Sequence, residues 1–155
     1  MQSLLAVAVL ISTGLGGLPA SAVPNLTGTW VLQIADSDFG MVPPPDSRID
    51  VIDHQEPRLA VKRTTSAQGT TTVADMTYAV DGMPHKNNAG TTELTSTLHW
   101  EGEVLVMVTT TQAPQGELVI TDRYSLSADG QTLTQARVLA IQDQTLAQTM
   151  ILRKQ

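Results

Sequence analysis

"ELVITDRYSLS" (117–127) and "TLTQARVLAI" (132–141), joined by "ADGQ" (128–131), form the stretch whose reading decides the fold. Both halves alternate apolar and polar residues with period two, as half-buried strands do, and Asp129-Gly130 is a turn signal. The even-length link sets a register. Leu126 falls opposite Leu133, Tyr124 opposite Gln135, Asp122 opposite Arg137 and Ile120 opposite Leu139. All of these share one face, because side chains alternate along a strand. The other face carries Thr121, Arg123, Ser125, Thr134 and Ala136 and is plainly the wetter one. The apolar face is therefore expected to point inward, with a polar band of Asp122, Tyr124, Gln135 and Arg137 on it. Across "QDQ" (142–144) that face continues through Leu146, Gln148, Met150 and Leu152 of a strand at 145–154.

Working outward, the same alternation recurs along the chain. Strands are expected at 28–34, with Trp30, Leu32 and Ile34 on one face, and then at 48–54, 58–64, 70–80, 92–100 and 103–110. A tight turn at Glu101-Gly102 joins the last two. "SAQG" (66–69) reads as a flexible link, and "MPHKNNAG" (83–90) as a short, weakly patterned one. "ADSDFGMVPPPDS" (35–47) is the longest irregular stretch; its triple proline is extended and stiff, which suits a loop or lid folded over one end. No helix-period stretch exceeds a turn or two. About ten short strands at roughly 8–12-residue spacing predict an all-β barrel or sandwich. Short links favour an up-and-down antiparallel meander, and closing it removes exposed edges, so a β-barrel is expected and a sandwich is the alternative.

The chain has 155 residues, few charged (15%) and very few aromatic (3%) side chains, and a net charge of −6. Its length predicts one domain. Its negative charge argues against nucleic acid, which demands Lys and Arg to replace phosphate counterions, and against anionic lipid surfaces. Residues 1–22 carry no charged side chain; an apolar run from Leu4 to Leu15 is followed by breakers and by small residues at Ala20 and Ala22. That is the pattern of a cleaved signal peptide and is short for a membrane span, so an exported chain starting at Val23, without stable membrane insertion, is expected. Neither Lys nor Arg stands near Met1, so the start lies further upstream or the amino terminus alone supplies the positive charge. There is no cysteine. Thiolate chemistry, Cys-type zinc sites and disulfides are thereby excluded, and a bacterial periplasm or exterior suits an exported chain of this kind.

Little in the sequence points to catalysis. No G-x-S-x-G, phosphate-binding glycine loop or H-E-x-x-H spacing occurs. His54, His85 and His99 lack metal-ligand spacing, and surface positions account for them and for Asp50 and Asp53. Neither a metal nor a cofactor is expected, and no enzymatic activity. Two readings of the inward polar band compete. Arg137 clamps a ligand carboxylate while Tyr124 donates a hydrogen bond, or Asp122 and Arg137 neutralise one another and leave nothing for a ligand. Trp100 is expected to pack beneath its hairpin and Trp30 in the core.

Gly28-Thr29-Trp30 at the head of such a meander resembles the opening of lipocalin and calycin barrels. The likeness extends to Ser37-Asp38-Phe39-Gly40, the proline-rich loop, Trp100-Glu101-Gly102 and the run from Leu126 through Ser127, Asp129, Gly130 and Thr132 to Leu133. In these the chain is similar to uncharacterised lipocalin-like proteins exported by bacteria such as acidobacteria. The resemblance implies a lipocalin-like barrel in which a basic residue of the last strand, Arg153 rather than Lys154, covers the Trp30 indole. It also hints at small-molecule binding. The expected function is non-covalent binding of a small, partly apolar or amphipathic molecule by a monomeric barrel. Leu98, Met107, Ile120, Leu139 and Met150 would line the wall, with Tyr124 and Arg137 as anchor beside Asp122 and Gln135. The alternative is a solid-core module that binds a protein or polymer through loops 35–47 and 83–91.

Overall fold

A computed structural model describes residues 22–155. The expected leader, all but its last residue, lies outside them. Ten antiparallel strands follow in chain order: β1 (Gly28–Leu32), β2 (Ser47–Gln55), β3 (Arg58–Ala67), β4 (Thr70–Ala79), β5 (Pro84–Ala89), β6 (Thr92–Glu101), β7 (Val104–Ala113), β8 (Gly116–Leu126), β9 (Thr132–Ile141) and β10 (Gln144–Lys154). Each pairs with its neighbour in sequence, except that β1 closes onto β10 and β4 and β5 are the two ends of the sheet. The result is a nearly closed up-and-down barrel. The register read from residues 117–141 is the one observed, from Leu126↔Leu133 to Ile120↔Leu139, and so is its continuation onto β10.

The links differ from expectation in two places. "SAQG" is no flexible segment: β3 and β4 run through it to a tight turn at Gln68-Gly69, both at positive φ. The weakly patterned 83–90 holds a strand, β5. There Asn87 stands in for the missing ladder across the β4–β5 seam. Its side-chain carbonyl accepts from the Thr77 N–H (3.0 Å) and its amide donates to the Thr77 carbonyl (3.0 Å).

The long β1–β2 connection folds back over the barrel as expected. A short 3-10 turn (Ile34–Asp36) starts it. Asp38 then bridges to Thr149 of β10, and the Ser37 hydroxyl accepts from Ile151 N–H (2.9 Å) and donates to the Gln33 carbonyl (2.6 Å). Phe39 packs onto the core, and Gly40 turns the chain at φ +62° where a Cβ would lie 2.7 Å from Leu146 Cδ1. The Ser-x-Phe-Gly pattern is thus a fastening of the lid onto β10.

The end of the barrel where β1 starts and β10 finishes is sealed. Trp30 is fully buried there with Leu26, Leu98, Leu105 and Leu133. Its Nε1 donates to the Leu26 carbonyl (2.9 Å). The basic residue over the indole is Lys154, whose Nζ lies 5.5 Å from the ring centroid. The expectation for Arg153 is corrected by alternation: Trp30 pairs with Lys154, so Arg153 faces outward, where it donates to the Thr132 hydroxyl (2.6 Å). Gly28 makes room for this arrangement, since a Cβ there would sit 2.6 Å from Lys154 Cε. Trp100 packs half-buried against the core and donates from Nε1 to Glu56 (2.7 Å).

Candidate functional site

The candidate site lies above this sealed end and begins with β2, whose pattern is inverted over residues 48–51. Ile49 and Val51 point outward, 40% and 47% exposed, while Arg48, Asp50 and His54 are buried. The surface position expected for Asp50 and His54 is therefore wrong; Asp53 alone of that cluster is on the outside. His54 is held at the closed end, with Nδ1 accepting from Leu26 N–H (3.2 Å) and Nε2 against Glu56 (2.8 Å).

Buried charge demands partners, and Asp50 has two. Arg48, on the same strand face, reaches it through Nε (3.0 Å) and Nη2; Arg63, directly opposite on β3, through Nε and Nη2 (both 2.8 Å). Arg48 then crosses the lumen to the Gln135 side-chain carbonyl (2.9 Å) and to Met150 Sδ (3.4 Å). Gln135 donates on to Asp122 (2.8 Å), which takes Nε and Nη2 of Arg137 at 2.8 and 2.9 Å. One continuous chain of charge-assisted hydrogen bonds, Arg63–Asp50–Arg48–Gln135–Asp122–Arg137, thus floors the barrel from β3 to β9. Among the described residues no sealed side-chain nitrogen or oxygen lacks a partner.

The ionisation of the floor follows from these contacts. Burial would raise the Asp50 carboxyl, but the Arg63 guanidinium and the hydrogen bonds from Arg48 and Arg63 outweigh it and hold the group below the carboxylate range. Burial, with the charge of Arg63 close by, lowers Arg48. Burial likewise works against Arg63 and Arg137, yet their aspartate partners hold both above the ordinary value. Burial pushes the Tyr78 and Tyr124 phenols up, so both are neutral at neutral pH. Because Asp50 is depressed in the folded state, its contribution to stability is complete above the unfolded carboxylate value, about 3.9, and is lost as pH falls below it. Unfolding free energy measured by urea titration is expected to hold down to about pH 5 and to drop below about pH 4. Asp50→Asn should flatten that drop; an unchanged acid limb in the variant would count against the account.

Above the floor the barrel is hollow. Inward-facing Leu94, Ile120, Leu139 and Leu146 are only half-buried, whereas their counterparts below are sealed. Two open lobes occupy the space. One, of about 280 Å³, is walled by Thr72, Ala74, Leu94, Met107 and Ile120; the other, about 270 Å³, lies under the lid against Leu32, Phe39, Val42, Pro45 and Met150. Arg63, Thr65 and Arg137 line both. Together the lobes fall within the range of ligand cavities, about 300–1,000 Å³.

The residues singled out from sequence divide across this floor. Arg137, Ile120, Met107 and Met150 face the lobes; Asp122 borders the first of them from within the network, and Gln135 is in the network beneath both. Tyr124 is under the floor and lines a small void of about 30 Å³ with Tyr78 and Leu26; it is in neither lobe's wall and so does not share that space with Arg137. Leu98 belongs to the sealed core, and Leu139 lies on the inward face of β9 but in neither lobe's wall. Arg48, Asp50 and Arg63 were missed, although a signal exists. Counting back from the turn at 55–58 sets Asp50 opposite Arg63, by the same arithmetic that sets Asp122 opposite Arg137.

No family model and no curated protein sequence matches the chain. Among solved structures it is similar to a secretary abundant heat soluble protein from Ramazzottius varieornatus. The TM-score is 0.59 at 12% identity, covering 83% of this chain and 94% of that one. It is also similar to zebrafish ileal bile acid-binding protein complexed with cholic acid, with a TM-score of 0.59 at 13% identity, covering 84% and 98%. The fold is lipocalin-like. At these identities the likeness extends to the architecture alone, and the chemistry of this lipocalin-like chain must be read from its own residues.

Proposed function

We propose that this protein is a non-enzymatic carrier that holds a small, partly apolar molecule without covalent attachment in the upper half of the barrel. The carrying observation is the hollow above the charged floor, where inward apolar side chains remain half-exposed. Such surface is buried at about 25 cal/mol per Å² once a ligand covers it. The fold agrees, since one neighbour is a bile acid-binding protein. The leader-like residues 1–22, the absence of cysteine and the resemblance to exported bacterial lipocalin-like proteins support export to a periplasm or exterior. The carrier is taken as a monomer.

The test is titration of the purified protein with the neutral fluorophore N-phenyl-1-naphthylamine. Saturable one-to-one binding is expected in wild type, with loss of at least about tenfold in Ile120→Trp, which fills a lobe. A variant with unchanged circular dichroism and unchanged binding would sink the reading. Absence of binding in the wild type would favour a module acting through its loops.

A further inference from the structure

We propose that the ligand of this cup is a monovalent anion carrying apolar groups on two sides of its charge, seated between Arg63 and Arg137. The inference rests on the small-molecule reading above and adds the ligand's chemistry to it.

The first observation is the charge balance of the floor. Arg48, Arg63 and Arg137 contribute three positive charges, Asp50 and Asp122 two negative ones, and Gln135 is the neutral link between them. One positive charge is in excess, inside a chain of net charge −6. Tyr78 and Tyr124, the nearby titratable groups, stay neutral and do not offset it. A monoanion completes the balance. A dianion leaves a negative charge uncompensated at low dielectric, and a cation meets the excess directly.

The second is what the floor presents upward. Asp50 and Asp122 are sealed, 2% and 1% exposed, while the side chains of Arg63 and Arg137 remain 21% and 20% accessible. Each guanidinium spends Nε and Nη2 on its own aspartate, leaving Nη1 outside the fork. A ligand entering the cup meets guanidinium edges, with the Thr65 hydroxyl beside them; of the two carboxylates only Asp122 borders a lobe, and it is 1% exposed, with Arg137 forked over it.

The third is position. β3 and β9 stand on opposite walls, with β2, β1 and β10 between them on one side and β4 to β8 on the other. Arg63 and Arg137 therefore separate the two lobes, and both belong to each lobe's lining. A molecule with its charge at one tip fills one lobe and leaves the other wet. A molecule with its charge in the middle fills both.

Isothermal titration with three twelve-carbon ligands tests this: 2-butyloctanoate, its linear isomer dodecanoate, and the neutral analogue 2-butyl-1-octanol. The branched carboxylate is expected to bind one-to-one and about tenfold or more tighter than either of the others. Arg63→Gln and Arg137→Gln should each bring it toward the alcohol's affinity while leaving the alcohol within about twofold. The three-ligand comparison on the unaltered protein decides the matter even where a variant folds poorly. Equal affinity for the alcohol overturns the anionic part, and equal or tighter binding of dodecanoate overturns the two-sided part. If none of the three binds while N-phenyl-1-naphthylamine does, this proposal falls and the small-molecule reading stands. If the fluorophore also fails, both fall.

Discussion

Replacing Asp50 with alanine is expected to destabilise the protein by about 3–5 kcal/mol, the cost of leaving a buried charge without its partner. Asp50 is the shared acceptor of two guanidiniums, Arg48 and Arg63. Arg48 is itself buried, and without Asp50 its remaining contacts are the neutral Gln135 carbonyl and the Met150 sulfur. The floor then holds three positive charges against the single carboxylate of Asp122. The triple variant Arg48→Met, Asp50→Leu, Arg63→Met provides the contrast. It removes the charges together, and its stability should lie far closer to wild type, because apolar groups of similar volume replace a buried ionic cluster at little net cost. Urea denaturation of the two variants measures both. If Asp50→Ala loses less than about 1 kcal/mol, solvent reaches the floor and the sealed arrangement is wrong.

The second large effect is at Trp30. Trp30→Ala should cost about 3–5 kcal/mol, as large-to-small changes of fully buried aromatics do. The indole does three things at the closed end. It fills the space between Leu26 and the strands around it, donates to the Leu26 carbonyl, and lies beneath the Lys154 ammonium. The cation contributes only about 0.5–1 kcal/mol, so most of the loss is packing. Trp30→Phe keeps an aromatic ring but drops Nε1, and should lose clearly less. Thermal unfolding and amide exchange together separate the roles. Loss of the indole should also raise exchange at the Leu26 N–H, which is held by His54 Nδ1. Stability unchanged in Trp30→Ala would remove the closed end as the anchor of the fold.

How much of this was legible in the sequence varies by strand. In β8 and β9 the apolar residues face in and the turn is short, so alternation alone yields the faces and the register. Asp122, Gln135 and Arg137 were found that way. In β2 the same rule misleads, because Ile49 and Val51 face solvent while Arg48 and Asp50 share the inward face with Ile52. Periodicity reports that a strand has two faces but not which one is inside. At the last strand, the choice between Arg153 and Lys154 turns on a one-residue register with β1, set by a pairing more than 120 positions apart in sequence.

The sequence by itself determined an all-β meander, its turns, and the hairpin that carries half of the charged floor, because those depend on local alternation and turn chemistry. Only the tertiary structure decided that the floor is one network and where it divides the barrel. Arg48 meets Gln135 across the lumen from a site 87 residues away, and no local pattern encodes that contact. It also decided where Asp122 and Arg137 stand. They neither neutralise one another in isolation nor clamp a ligand with Tyr124, which is sealed below them. Arg48 makes the difference, because a third guanidinium among two carboxylates leaves the cup a net positive charge that a hairpin read alone does not reveal.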